Sequence, residues 1–97
     1  MTVEWSGPAQ RAFDAYIDYL IEASPRVAQR ASREIVAATE RLGRRPNMGR
    51  PSRWKGLREW SLLRWKKIVV YRVDAGRLRI VALYDARQDL SRVTPRE

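Results

Sequence analysis

Apolar residues recur at intervals of three and four through the first half of the chain, and at alternate or consecutive positions through the second. Ala9, Phe13, Tyr16, Ile17, Leu20 and Ile21 form one stripe, with Arg11, Asp14, Asp18 and Glu22 opposite it. That period predicts an amphipathic helix ending near Ala23. Ser6-Gly7-Pro8 precedes it, with Ser6 or Gly7 as the cap and Pro8 suited to the first helical position. Ser24-Pro25 repeats the signal, and Ala28, Ala31, Ile35, Ala38 and Leu42 make a second stripe up to Gly43, which is well placed to terminate a helix. So short a link between the stripes predicts an antiparallel helical hairpin, its alanines allowing close approach to a neighbour. Arg26, Arg30, Arg33, Arg41, Arg44 and Arg45 then decorate the outer faces.

The remaining segments read as strands and loops. Thr2 to Trp5 is a short strand with Val3 and Trp5 on one face. Proline, glycine, Asn47 and Ser52 break all periodicity from Pro46 to Gly56, so a loop joins the helical half to the second half of the chain. Strands are expected near 57–63, 67–73 and 78–84, the last two joined by Asp74-Ala75-Gly76 with glycine available for positive φ. The expected fold class is α+β: a short N-terminal strand and a two-helix hairpin packed on a three- to four-stranded, mainly antiparallel sheet.

Ile68-Val69-Val70 and Ile80-Val81-Ala82-Leu83 are continuous apolar runs, whereas an antiparallel strand with one wet face alternates. Both faces of the sheet therefore need cover. The helices supply one cover; a partner chain, or the N-terminal strand with the C-terminal tail, supplies the other. Residues 91–97 carry Pro95 and polar ends and are expected to fray.

At 97 residues the chain is read as one domain, burying about 65% of its unfolded surface. The formal charge is +9, and it is unevenly spread: up to Pro25 there is one arginine against four acids, and beyond it 19 basic against 7 acidic residues. Between Arg44 and Lys67 stand nine basic residues and three of the four tryptophans, against the single acid Glu59. Such density suits a polyanion, an acidic protein partner or plain solubility, and all three remain open on charge alone. The absence of Cys and His removes disulfides, thiolate nucleophiles, most zinc chemistry and the usual neutral-pH proton shuttle. No metal or cofactor is expected. No stretch has the length of a membrane span and the N-terminus lacks a signal-peptide layout, so a cytoplasmic protein without membrane contact is expected.

The order of these segments resembles the RelE/ParE superfamily of bacterial toxins. Ala9 to Ile21 and Ala23-Ser24-Pro25-Arg26-Val27-Ala28 look like its first helix and the link to the second. Arg45-Pro46-Asn47-Met48-Gly49-Arg50-Pro51, then Gly56-Leu57-Arg58-Glu59-Trp60, look like its loop and first meander strand. Ile68 to Val73 and Leu78 to Leu90 look like its last two strands and the turn after them.

That superfamily comprises ribosome-dependent messenger RNA endonucleases and ParE-like toxins acting on DNA gyrase. Where the nuclease pattern has an arginine before the apolar strand core, this chain has Ile68. Its counterparts of two strand lysines are Glu59 and Ser61, no tyrosine follows Tyr84, and only Arg87 matches a catalytic arginine. For a ribonuclease the candidate residues are Arg58, Arg64, Lys66, Lys67 and Arg87, which would stabilise phosphorane charge. With no histidine, only Lys, Tyr, Glu or Asp remain to move protons. Tyr84-Asp85-Ala86-Arg87-Gln88-Asp89-Leu90 and the 46–50 loop resemble the ParE branch more closely. A ParE-like toxin implies a non-catalytic inhibitor that binds DNA gyrase and favours one conformer of it; Arg58, Trp60, Arg64 and Arg87 are then the target-binding candidates. Trp54, Trp60 and Trp65 also suit core packing, and Gly49 and Arg50 suit a turn glycine and an arginine bonding carbonyls. The resemblance further implies a hetero-oligomer with a cognate antitoxin whose acidic or amphipathic C-terminal segment folds onto the toxin. Nucleic acid contact would be indirect, through the target.

Overall fold

The computed structural model describes residues 1–96, and Glu97 lies outside them. Strand β1 (Thr2–Trp5) leads into helices α1 (Gly7–Ala23) and α2 (Pro25–Arg44). Strands β2 (Arg50–Pro51), β3 (Arg58–Leu62), β4 (Lys67–Asp74) and β5 (Arg77–Asp85) come next, with a 3-10 turn at Leu63–Trp65 between β3 and β4. The helix starts are those the sequence signals. Ser6 caps α1 by accepting from the Ala9 amide at 3.1 Å, and Ser24 caps α2 by accepting from Val27 at 3.3 Å, each beside a proline in the first turn.

The sheet has five strands in the order β1-β5-β4-β3-β2. Strands β2 to β5 are antiparallel, and β1 joins the edge parallel to β5, pairing Val3 with Leu78 and Trp5 with Ile80. Ser6 ties this edge together: fully buried, it donates its amide to Ile80 at 2.9 Å and its hydroxyl to the Val81 carbonyl at 3.2 Å. Val81 is the extra residue of a register shift, since Val70 pairs with Ala82 and Tyr71 with Ile80.

The helices cover one face, where Ala31, Ile35, Ala38 and Leu42 meet Val69, Tyr71, Leu78, Ile80 and Leu83. The opposite face buries Ile68, Val70, Val81 and Ala82 under Leu90, Trp54, Leu57, Tyr84 and Val93. The continuous apolar runs are thus explained by two cores, and the chain's own 52–57 loop and tail cover the second. The N-terminal strand takes no part in that cover; it extends the sheet instead. Within the 91–97 tail, the Val93 carbonyl accepts from Trp54 Nε1 at 2.7 Å.

Gly43 does not end α2, which runs on to Arg44 with Arg45 as its cap. Gly43 is buried, and a Cβ there would stand 2.7 Å from Val3 Cγ2. Its bare backbone lets β1 lie against the helix. Among the described residues no helix is long and apolar enough to cross a membrane.

Candidate functional site

Two constellations gather the polar residues of the 44–67 stretch and its surroundings. The first is built around the loop before β3. Tyr71, fully buried on β4, donates its hydroxyl to the Pro46 carbonyl at 2.6 Å and accepts the Gly49 amide at 3.0 Å. The Gly49 carbonyl in turn accepts from Arg58 Nη1. A Cβ on Gly49 would collide with the Tyr71 hydroxyl and stand 2.8 Å from the Glu59 carbonyl oxygen. Gly49 therefore serves close approach between loop and sheet, where a turn glycine was expected.

Glu59 is the anchor of the same loop. Although 3% exposed, it receives Ser52 Oγ at 2.7 Å, Arg53 Nε at 3.1 Å, the Arg53 amide at 3.2 Å and Arg50 Nη2 at 3.3 Å. Burial pushes its carboxyl up, but these donors outweigh it and hold the pKa at about 2. Arg50 bonds this carboxylate and not the carbonyls that sequence reasoning assigned to it. Glu59 is ionised near neutral pH, but a pKa of about 2 and donors on both oxygens make it a weak base.

The second constellation lies where β4 begins and β5 ends. Lys67 pairs in register with Asp85, and its Nζ sits 4.3 Å from the centre of the Tyr16 ring. Burial lowers the Lys67 pKa, with Asp85 opposing the shift. Arg87 grips Asp85 through Nε and Nη2 at 3.1 Å each and through its amide at 2.8 Å. These bonds hold the Asp85 carboxyl at about 2. The Tyr16 hydroxyl donates to the Trp65 carbonyl at 3.4 Å, and burial raises its pKa. Trp65 Nε1 donates to Glu34 at 3.0 Å, and Arg30 and Arg64 reach the same carboxylate at 3.0 and 3.4 Å.

The candidate residues are therefore not one site. Arg58 is half-buried under the Gly49 carbonyl, and Trp60 packs against the helical core. Arg64 is joined to α2 through Glu34, and Lys66 is an exposed residue at φ 52 closing the turn into β4. Only Lys67 and Arg87 meet, on either side of Asp85. Tyr16 and Glu34 complete this surface and were missed. Tyr16 is masked by its place in the α1 stripe, and Glu34 shows only its four-residue spacing from Arg30.

The sequence profile of the ParE toxin of type II toxin-antitoxin systems, parDE, matches residues 3–90. The chain belongs to the ParE toxin family. A solved chain described as part of the chromosomal ParDE TA system from P. aeruginosa shares its fold at a TM-score of 0.79 and 28% identity. That match covers 90% of this chain and 97% of the other. No curated protein matches the sequence. ParE membership makes this a toxin of a type II toxin-antitoxin system, with an antitoxin as its partner. The departures at Ile68, Glu59 and Ser61 now have a structural setting. Ile68 is buried in the second core and Glu59 holds the loop, so neither position presents a cation for chemistry.

Proposed function

We propose that this ParE toxin inhibits growth by binding DNA gyrase and holding it in one conformer, without chemistry of its own, until a cognate antitoxin covers it. The observation that carries this reading is the dispersal and prior engagement of the nuclease candidates. Arg58 holds the Gly49 carbonyl and Arg87 is clamped on Asp85. Two carboxylates of these constellations, Glu59 and Asp85, titrate at about 2. Metal-free RNA cleavage requires a base poised to accept the 2′-hydroxyl proton beside cations free to hold phosphorane charge. This arrangement suits a stable recognition surface better, with Arg64 and Arg87 at its exposed rim. A binder of this kind works by differential affinity for two states of its target.

Purified toxin added to gyrase, ATP and supercoiled plasmid should accumulate cleaved DNA or block supercoiling, and the antitoxin should restore activity. Gyrase behaving identically with and without toxin would refute the proposal. Primer extension in expressing cells should show no cuts within translated messages.

A further inference from the structure

The loop and tail cover the apolar part of the second sheet face, and next to that part the same face carries charge. Glu4 of β1, Arg79 of β5 and Arg72 of β4 pair in register and form one row across three strands, and Arg77 pairs with Asp74 in the next row. Successive residues of a strand face opposite sides of its sheet. Val3, Trp5, Tyr71, Leu78 and Ile80 pack on the helical core, so both charged rows face away from the helices. With Ala75 of the hairpin turn they line a cleft of about 420 Å³.

Strand backbone fixes where these guanidinium groups start, and Glu4 orients two of them. Arg79 donates through Nη1 to Glu4 Oε1 at 3.2 Å. Arg77 reaches the other Glu4 oxygen only as an ion pair at 3.9 Å, and its side chain is 66% exposed. A guanidinium presents its donors in a planar fork that matches phosphate oxygens two at a time. Among the described residues that line the cleft, none is aromatic, so a base has nothing to stack on. Ala75 is the one apolar residue among them, so a peptide would find no pocket for apolar side chains. A phosphodiester needs neither.

We propose that this cleft seats a backbone phosphate of duplex DNA, held by Arg77 and Arg79 beside Arg72. The net charge of +9 draws a polyanion to the toxin, and the charged rows give one phosphate a defined seat. Such contacts orient a protein on a duplex without reading its sequence. The charges of Glu4 and Asp74 oppose phosphate and keep the contact weak. The inference concerns direct contact with DNA and its test contains no gyrase, so its failure and that of the gyrase reading are told apart.

Fluorescence anisotropy of two labelled duplexes of unrelated sequence, titrated with free toxin at several salt concentrations, tests it. Both duplexes should bind alike. Arg77→Ala combined with Arg79→Ala should weaken binding roughly ten-fold at low salt, the scale of a lost charged hydrogen bond. The slope of log K against log salt should flatten by about one. Arg26→Ala combined with Arg33→Ala, which removes the same charge from exposed positions on α2, should cost less and is the control. Glu4→Gln keeps an acceptor for Arg79 and removes a repelling charge, so it should tighten binding roughly five-fold, more than Glu22→Gln on α1 does. Equal losses from the two arginine pairs, or equal gains from the two glutamine variants, would overturn the proposal and leave overall charge as the cause. So would NMR shifts of the Arg77 and Arg79 Nε–H groups that respond to inorganic phosphate and not to duplex, which would mark a site for a lone anion.

Discussion

The Tyr71 hydroxyl and the Gly49 amide meet at 3.0 Å across 22 residues of sequence, and through this bond the core of the sheet positions the loop before β3. The same hydroxyl bonds Pro46 at 2.6 Å, so one atom secures both ends of the 46–49 segment.

Tyr71→Phe keeps the ring and removes the oxygen, leaving the buried Gly49 amide without its acceptor. The cost should be about 1–3 kcal/mol, the penalty for stranding a buried polar group. Thermal melting should fall by at least about 4 °C for a domain of this size. A variant melting with the parent would show that the loop is held by other means.

Acid should release the loop through Glu59. Burial raises the folded-state pKa and the Ser52, Arg53 and Arg50 bonds lower it further than burial raises it, from 4.5 to about 2. A depressed folded pKa contributes stability that is complete above the unfolded value and fades as pH falls through the folded one. About 2–3 kcal/mol should therefore be lost between roughly pH 5 and pH 2. Denaturant titrations at several pH values check this, and Glu59→Gln should be weaker at neutral pH with a flatter acid limb.

Ala75 and Gly76 join β4 to β5 with φ of 48° and 78°. Two positive values define a tight hairpin turn in which asparagine followed by glycine is preferred, and alanine is strained. Ala75→Asn should stabilise the fold by about 0.5–1 kcal/mol, seen as a higher urea midpoint at unchanged slope. A lower midpoint would count against the left-handed geometry.

Arg58 and Arg87 should separate on substitution. Arg58→Ala loses the bond to the Gly49 carbonyl and should lower stability by about 1–2 kcal/mol. Arg87, 70% exposed in its side chain, pairs among the described residues with a partly exposed aspartate, so Arg87→Ala should melt like the parent. Its effect should appear as weaker growth inhibition in cells lacking antitoxin; full toxicity would remove Arg87 from the target surface.

Much of the fold is legible along the chain because its signals are local. Ser6 and Ser24 cap helices through bonds to residues three positions on, and the stripes of α1 and α2 show in their own spacing. Strands β4 and β5 likewise emerge from runs that hold β-branched residues. The candidate surface was less legible. Lys67 and Arg87 come together only because β4 and β5 pair Lys67 with Asp85, and Tyr16 arrives from a helix 51 residues before Lys67.

The sequence by itself determined both helices, β1 and the three longer strands, the two-sided burial of the sheet and the ParE kinship, since caps, periodicity and segment order act over short distances; it read as loop the segment that supplies the fifth strand, β2. Tertiary structure alone decided that β1 runs parallel at the sheet edge, with Gly43 admitting it to α2. It also decided that loop and tail cover the second core, and that Glu59, the lone acid in a basic stretch, lies buried among its arginines. These depend on which strand lies beside which, and on the space between backbones too close for a Cβ. No local pattern of residues encodes either.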